Sequence, residues 1–314
     1  MTNHLFKCQI GTRDNLMYLQ HFGLTKMPFG LTPDTEFFVD LEQHHDVLDV
    51  LTLALNSGEG FIKISAEVGS GKTLLCRKIL QQAAEHWQLA YIPDPCLTPL
   101  ELKWALALEL GLKFSSNIEP GQLLPLLQRQ LVSLAAQGKQ PIVLIDEAQA
   151  LPDDTLEALR LLTNLETEKR KLLQVVLFGQ PELDKRLYSY RFRQLQQRIT
   201  FSCRLALLTR SQVRGYVNHR TRLAGTEKPL FSRLAINGLY KYSRGIPRLV
   251  NILAHKGLLL AYGEGKARVG LSHIWQAARD TDNVKQASLW WYGLVTSIFL
   301  AAYVLFAFYD GLIT

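Results

Sequence analysis

The chain has 314 residues, of which 47% are hydrophobic and 20% are charged, and its formal net charge is +7. This length allows one large core or two modest domains, and this composition is that of an ordinary folded protein, which excludes a disordered chain. The four cysteines lie far apart, at positions 8, 76, 96 and 203, so their spacing excludes a disulfide framework or a zinc site and favours a reducing compartment.

The positive charge is concentrated in one stretch. Residues 1–184 contain 15 Lys and Arg against 23 Asp and Glu, a net of −8, whereas residues 185–256 contain 16 against one, a net of +15. A segment this basic predicts an acidic partner, which can be a nucleotide, a nucleic acid, anionic lipid or an acidic neighbouring subunit.

No signal peptide is predicted at the N-terminus, because residues 1–17 are polar with isolated apolar side chains. Residues 1–16 are therefore predicted to be an extension, which is either a flexible arm or a stretch upstream of a true start at Met17. The first predicted helix covers about residues 43–55, where apolar side chains recur at helical spacing.

A phosphate-binding loop is predicted between a buried strand at residues 61–65 and a helix that begins at Lys72. Gly69 and Gly71 let successive backbone N–H groups point into one concavity, and the helix N-terminus adds its own N–H groups and dipole. Lys72 can reach the β- and γ-phosphates of a nucleotide, and the Thr73 hydroxyl can bind Mg²⁺. The usual phosphate-loop pattern begins with glycine, and this chain has Ala66 at that position. The alternative to a phosphate-binding loop is a structural turn between a strand and a helix. The residues predicted to bind the nucleotide are Ala66, Glu67, Val68, Gly69, Ser70, Gly71, Lys72, Thr73 and Leu74.

A second motif follows the strand predicted at residues 141–145. Its consecutive aliphatic residues predict a strand buried on both faces, as in a parallel sheet. Asp146 and Glu147 follow at its carboxyl end, where sheets of this kind carry active-site residues. Asp146 can hold Mg²⁺ through water, and Glu147 can orient and polarise an attacking water. The alternative is a strand that simply ends in solvent with two acidic residues.

The alternation of strands and helices around both motifs predicts an α/β fold with a parallel, doubly wound sheet. Gln180 follows the fourth predicted strand, where it can hydrogen-bond the γ-phosphate or the water, or merely cap the next helix. The remaining predicted strands cover residues 89–92, 172–178 and 199–203. The remaining helices of this part cover about residues 72–86, 99–110, 121–136 and 152–165.

Only helices are predicted after Arg204, at about residues 211–223, 231–242, 247–262 and 272–280, which indicates a small all-helical domain. Within it, Gly245-Ile-Pro247-Arg248 predicts a turn that places Arg248 in the first turn of a helix. Because the helix dipole disfavours a cation there, Arg248 is predicted to serve an anion outside the helix. The alternative is an ordinary surface arginine.

Residues 289–309 contain no charged side chain and predict one C-terminal transmembrane helix. A helix of this length covers ~30 Å, the thickness of a bilayer core. Aromatic residues flank the segment, basic residues precede it and only Asp310 follows it closely, so the N-terminal part is predicted to be cytoplasmic and residues 310–314 to be a short periplasmic tail. The alternative is a buried helix of the soluble fold.

Seven stretches in the same order carry a family resemblance, which covers about residues 17–282. On these stretches the chain resembles the AAA+ ATPases of the general secretion pathway protein A (ExeA) type, and within it the branch that serves the mannose-sensitive haemagglutinin type IV pilus. The resemblance implies an AAA+ P-loop nucleoside triphosphatase domain over residues 17–204, with its parallel sheet sandwiched by helices, and a helical lid domain over residues 205–284. The seven stretches are residues 18–24, 28–34, 66–73, 144–149, 179–183, 193–199 and 245–248.

The resemblance also implies ATP and Mg²⁺ as cofactors, with Gln180 at the sensor 1 position and Arg248 at sensor 2, where the lid touches the nucleotide. Such ATPases form rings in which a neighbouring copy supplies an arginine finger to the transferred phosphoryl group. Arg198 is the first candidate for that finger and Arg193 the second. On one helix, five residues apart, the two side chains would point ~140° from each other, so one of them at most would face the neighbouring site.

The predicted function is a membrane-anchored ATPase that hydrolyses ATP to support assembly of a type IV pilus or a related secretion apparatus. Its predicted location is the bacterial inner membrane, and its predicted partners are other copies of the chain, assembly proteins and membrane lipid. Relatives often continue into a peptidoglycan-binding domain, and this chain stops at Thr314, so we expect a partner to contact the cell wall.

Two alternatives remain open. One is a DNA-binding AAA+ regulator of the transposition or replication-initiation kind, which the basic segment would suit. Nucleic acid is nevertheless not the expected partner, because no helix-turn-helix or winged domain follows the helical part. The other is a nucleotide-binding scaffold without turnover, against which Glu147 argues.

Overall fold

The computed structural model describes residues 12–30, 37, 42–113, 119–166 and 171–281. The chain divides into an α/β unit within residues 32–207 and a helical unit made from the residues before 32 and after 207. The strands are β1 (Phe61–Ser65), β2 (Trp87–Ile92), β3 (Gln140–Ile145), β4 (Gln174–Gly179) and β5 (Ile199–Arg204). The helices are α1 (Thr12–Phe22), α2 (Glu42–Asn56), α3 (Lys72–Gln81), α4 (Pro99–Glu109), α5 (Pro120–Ala136), α6 (Asp153–Leu162), α7 (Pro181–Leu187), α8 (Arg193–Gln196), α9 (Arg210–Leu223), α10 (Arg233–Ser243), α11 (Pro247–Gly263) and α12 (Leu271–Arg279).

The sheet of the α/β unit has five strands in the order β2-β3-β4-β1-β5, and every neighbouring pair is parallel. β1 lies between β4 and β5, with Phe61 opposite Val175 on one side and Ile199 on the other. Parallel neighbours require crossover connections, and helices supply them here. The arrangement confirms the predicted α/β class with a parallel sheet.

Successive residues of the central strands enter two hydrophobic cores on opposite faces of the sheet. On β3, Val143 and Ile145 join the core that contains α4, α5 and α6, whereas Ile142 and Leu144 join the core that contains α2 and α3. All four side chains are fully buried. Burial on both faces explains why β3 is a continuous aliphatic run in the sequence, and it holds the carboxyl end of the strand rigidly in place.

Two boundaries differ from the sequence prediction. α3 ends at Gln81 rather than near residue 86, and Gln82 caps it, with its N–H donating to the carbonyl of Lys78. β2 begins at Trp87 rather than at residue 89, since Trp87 already lies opposite Gln140 in the parallel pairing with β3. Strand pairing therefore includes Trp87 and Gln88, which the sequence prediction had placed in the connection between helix and strand.

The N-terminal helix α1 packs within the helical unit. The sequence prediction had placed residues 1–16 in an extension and residues from 17 onward in the α/β domain. Tyr18 is fully buried and contacts Phe22 and His255 edge to face, each with 6.0 Å between ring centroids. The segment after α1 is fixed to α9, because Arg220 Nε donates to the carbonyl of Pro28 at 2.6 Å. The helix begins at Thr12, so residues 12–16 are part of a helix and not of the predicted arm, and residues 1–11 lie outside the described part.

The turn between α10 and α11 depends on Gly245. Its φ is 79°, in the left-handed region, and its carbonyl accepts a hydrogen bond from the N–H of Leu208 at 2.9 Å. A Cβ at this position would lie 2.1 Å from the carbonyl oxygen of Leu208. Both the backbone conformation and the close approach therefore require glycine. Arg248 follows in the first turn of α11, as the sequence predicted, and its side chain is exposed.

We predict that Gly245→Ala lowers the free energy of unfolding by about 2–4 kcal/mol, because it adds a clash with backbone to an unfavourable φ. Gly265→Ala is the matched control, since Gly265 has a similar φ of 66° but open space around its Cβ position, and it should cost only about 1 kcal/mol. Chemical denaturation of both variants checks the difference. Equal losses would mean that the contact with Leu208 does not constrain the turn.

Within the described part of the chain, no helix combines the length and the apolar character needed to cross a membrane. The predicted transmembrane helix at residues 289–309 and the predicted tail at residues 310–314 lie outside the described residues.

Candidate active site

The loop between β1 and α3 is shaped as a cradle for an anion. It leaves the sheet at Ala66, whose N–H donates to the carbonyl of Gly179 on β4 at 3.0 Å. It enters α3 through Gly71, which caps the helix with a left-handed φ of 109°. Among the described residues, the backbone N–H groups of Gly69, Gly71, Lys72 and Thr73 have no hydrogen-bond acceptor. These donors at a helix N-terminus favour a phosphate group.

Ser70 is a second residue in the loop that fits an anion. Its side chain is 3% exposed, and Oγ has no hydrogen-bond partner among the residues that the structure describes. An unpaired buried hydroxyl is costly, and a phosphate oxygen of a bound nucleotide would satisfy it. The loop therefore fits the predicted nucleoside triphosphate.

Lys72 lies inside this cradle and is 4% exposed. Its Nζ donates to the carbonyl oxygens of Ala66 and Glu67, at 3.0 and 3.3 Å. Burial lowers the pKa of Lys72 below its ordinary value, although the neighbouring carboxylates of Glu147 and Asp146 oppose this effect. Phosphate oxygens are stronger acceptors for an ammonium group than carbonyls, so a nucleotide can draw Nζ away from the loop backbone.

Thr73 and Asp146 come together where the sequence predicted a Mg²⁺ site. Thr73 Oγ1 donates to Asp146 Oδ2 at 2.7 Å, and Asp146 is 2% exposed. Burial raises the pKa of Asp146, and the hydrogen bonds from Thr73 and from the N–H of Glu147 partly counteract it. The two side chains offer oxygen ligands, which suit Mg²⁺. A bound Mg²⁺ would neutralise phosphate charge, and Thr73 and Asp146 are the residues that would hold it.

Glu147 follows in a left-handed conformation, with φ 48° and ψ 40°. Its Oε2 accepts a hydrogen bond from Gln149 Nε2 at 2.6 Å and another from Gln180 Nε2 at 2.9 Å. Burial alone would raise the pKa of Glu147, but the two amide donors and the charge of Lys72 hold it below the ordinary value. A carboxylate that stays ionised can accept a proton from water.

The structure thus brings Lys72, Thr73, Asp146, Glu147 and Gln180 to one edge of the sheet. The sequence prediction gave Gln149 no role, although this residue contacts both Glu147 and Gln180. The only signal in the sequence was a polar residue two positions after the carboxylates.

The two arginine-finger candidates differ in their surroundings. Arg198 is half-buried, with Nη1 at 3.4 Å from Thr163 Oγ1 and 3.5 Å from the carbonyl of Arg160. The side chain of Arg193 is exposed and, within the described residues, makes no hydrogen bond or ion pair. The expectation that both lie on one helix is wrong: α8 ends at Gln196, and Arg198 follows in the turn before β5. Arg248 belongs to the helical unit, and its role at the nucleotide stays a prediction.

This arrangement is suited to hydrolysis of a phosphoanhydride. The loop N–H groups and Lys72 can bind the phosphates and stabilise the charge that develops on them. Glu147 can orient a water molecule and take its proton, while the amide of Gln180 lies beside the same carboxylate, 2.9 Å from Oε2. The chemistry needs these groups in fixed positions, and the doubly buried strands β3 and β4 supply that rigidity.

Comparison with known proteins agrees with this site. Residues 55–187 match the family described as AAA domain. The chain is 39% identical over 282 residues to general secretion pathway protein A of Aeromonas hydrophila, an alignment that covers 90% of this chain and 52% of the relative. It therefore spans about half the length of that protein. It is also 26% identical over 232 residues to the ATP-dependent target DNA activator B of Escherichia phage Mu, covering 71% of this chain and 67% of the relative.

Solved structures with the same fold include the ORC1 protein of Aeropyrum pernix in complex with DNA, with a TM-score of 0.59, 17% identity and coverage of 81% of this chain and 69% of the other. Cdc6p of Pyrobaculum aerophilum gives a TM-score of 0.56 with 19% identity, covering 80% and 68%. At these identities the likeness establishes the fold alone. Together with the nucleotide site, the comparisons show that the chain belongs to the AAA+ ATPases of the general secretion pathway protein A type.

Proposed function

We propose that the chain hydrolyses ATP at this site to support assembly of a secretion apparatus or a type IV pilus, such as the mannose-sensitive haemagglutinin pilus, at a bacterial inner membrane. The observation that carries the proposal is the 39% identity to general secretion pathway protein A, which extends over 90% of the chain. The assembled nucleotide site supports it, because a water-activating carboxylate is needed for hydrolysis and not for binding.

The residue roles proposed for this reaction follow the geometry of the α/β unit. Lys72 and the loop from Ala66 to Leu74 bind the phosphates, Thr73 and Asp146 hold Mg²⁺, and Glu147 activates water with Gln180 as the phosphate sensor. A second set of roles requires a ring of identical subunits. There Arg198 or Arg193 acts on the site of the neighbouring copy, and Arg248 of the helical unit contacts the nucleotide.

We also propose that residues 289–309 anchor the protein in the inner membrane, with the ATPase in the cytoplasm and the C-terminus in the periplasm. What supports the anchor is the run of 21 residues without a charge between aromatic ends. Several basic residues that precede it could face anionic lipid.

The anchor predicts that the full chain stays in the membrane pellet after carbonate extraction. Ile298→Arg combined with Leu300→Arg should release it, because each arginine costs about 2.5–3.5 kcal/mol near the centre of a transmembrane helix. Leu223→Arg combined with Leu234→Arg is the control, because both side chains are exposed in the helical unit. A parent chain that carbonate extracts would refute the anchor.

The assembly role is tested by cross-linking the full chain in its native membrane and identifying the captured proteins by mass spectrometry. Glu147→Gln, which should trap the ATP-bound form, is compared with the parent. We expect inner-membrane components of a secretion or pilus system, enriched by the variant. Capture of chromosomal DNA-binding proteins in their place would contradict the proposal.

A DNA-related function is the second candidate, and a specific observation favours it. The relative from phage Mu is named an ATP-dependent target DNA activator, and its similarity covers 71% of this chain. The basic stretch at residues 185–256 could contact a phosphate backbone, although part of its charge is already used, since Arg186 and Arg191 form ion pairs with Asp153. Salt-sensitive binding of duplex DNA by the detergent-solubilised chain, with ATP present, would favour this candidate.

A further inference from the structure

Gln149 bridges two residues of the proposed reaction. Its Nε2 donates to Glu147 Oε2 at 2.6 Å, and its Oε1 accepts a hydrogen bond from the backbone N–H of Gln180 at 3.0 Å. Because a backbone N–H can only donate, the amide oxygen of Gln149 must face Gln180 and the amide nitrogen must face Glu147. The orientation of the Gln149 amide is therefore determined by its neighbours.

The backbone around Gln149 is held as firmly as its side chain. Arg186 of α7 donates from Nη1 to the carbonyl of Gln149 at 2.6 Å, and from Nη2 to the carbonyl of Leu151 at 2.8 Å. The same guanidinium forms an ion pair with Asp153 at 2.6 Å. Ala148, between the carboxylate and the glutamine, is fully buried in the core. The backbone of Gln149 is thus held in place, as a positioning residue requires.

Glu147 needs such support because its own backbone does not favour the observed conformation. A left-handed φ of 48° is uncommon for a residue with a long side chain. The amides of Gln149 and Gln180 converge on Oε2, and no described residue donates to Oε1. One carboxylate oxygen is therefore held, and the other stays available for the proton of a water molecule.

We propose that Gln149 is a positioning residue that holds the carboxylate of Glu147 through Oε2 and links it to the backbone of Gln180. The inference rests on the proposed role of Glu147 as the base. The side-chain NH₂ of Gln180 that donates to Glu147 Oε2 is also the group proposed to contact a phosphate oxygen, and a shift of Gln180 toward the phosphate weakens its bond to Glu147. The bond from Gln149 then keeps the carboxylate in place, and the movement of Gln180 does not disorient the base.

The test uses the full chain in detergent and begins with Gln149→Met, which keeps the length of the side chain and removes the amide. We expect kcat for ATP hydrolysis to fall about 10- to 100-fold, as when outer-shell partners are removed from metal sites, with KM and the affinity for ATP nearly unchanged. Gln137→Met is the matched control, because Gln137 is an exposed glutamine whose amide also donates to a neighbour, Ser133 Oγ at 3.2 Å. Its turnover should equal that of the parent.

A double-mutant cycle separates positioning from general damage. In a Glu147→Gln background, Gln149→Met should cause no further loss of the residual turnover, since the group that it positions no longer acts. An equal loss in both backgrounds, or unchanged kcat in the single variant, would overturn the proposal. Gln149→Glu places a second carboxylate beside Glu147 and should lower kcat further than Gln149→Met. This variant tests the proposal if Gln149→Met does not fold. If Glu147→Gln itself keeps parental turnover, the proposed base is wrong, whatever Gln149 does.

Discussion

Glu147→Gln is expected to lower kcat for ATP hydrolysis by about 10²- to 10⁴-fold, the usual contribution of a general base, while the affinity for ATP changes little. The substitution preserves the size of the side chain and its position after β3. It removes the charge that makes Oε1 able to take a proton. Nucleotide binding depends on the loop N–H groups and Lys72, which this change leaves intact. Steady-state hydrolysis and equilibrium binding of a fluorescent ATP analogue measure the two quantities separately.

Glu85→Gln is the matched control for this prediction, because Glu85 is exposed in the turn between α3 and β2, away from the loop. Parental turnover is expected for it. A variant at Glu147 that loses binding and turnover together would show that the carboxylate supports the shape of the site. A variant that keeps turnover would assign water activation to another group, and with it the proposed mechanism would be lost.

The sequence was sufficient to predict the phosphate loop and the carboxylate pair because both depend on local order. A strand, small residues and a helix start produce the cradle through backbone geometry alone, and Ala66 in place of glycine does not disturb it, since its N–H still pairs with Gly179. The aliphatic run of β3 likewise reports its burial on both faces. The turn at Gly245 was readable for the same reason, because a glycine before Ile-Pro marks a helix boundary.

Features that depend on long-range packing could not be predicted from the sequence. The start of β2 at Trp87 follows from its pairing with β3, which single-residue periodicity does not contain. The assignment of α1 to the helical unit depends on the burial of Tyr18 against a residue more than two hundred positions away. The role proposed for Gln149 depends on side-chain directions at a turn with positive φ, which residue type does not specify. The sequence also placed Arg193 and Arg198 on one helix, whereas α8 ends between them.

Lys72→Met is expected to weaken ATP binding about 10- to 100-fold, which corresponds to a loss of about 1.5–3 kcal/mol for hydrogen bonds to a charged group. Turnover at low ATP should fall at least as much, because the same ammonium group also stabilises charge that develops on the phosphates. Methionine keeps the apolar stem that fills the buried position, so the loss reports the charge rather than a cavity. Titration with a fluorescent ATP analogue measures the affinity.

The contacts of Lys72 make this prediction specific. Its Nζ donates to the carbonyls of Ala66 and Glu67, so the loop itself holds the ammonium group inside the cradle, and little side-chain entropy remains to be lost on binding. Lys78→Met, at the other end of α3, removes an equal charge from the same helix and should leave affinity within about twofold of the parent. Equal weakening in both variants would mean that overall charge attracts ATP. Loss confined to Lys72→Met would assign the effect to the ammonium group inside the cradle.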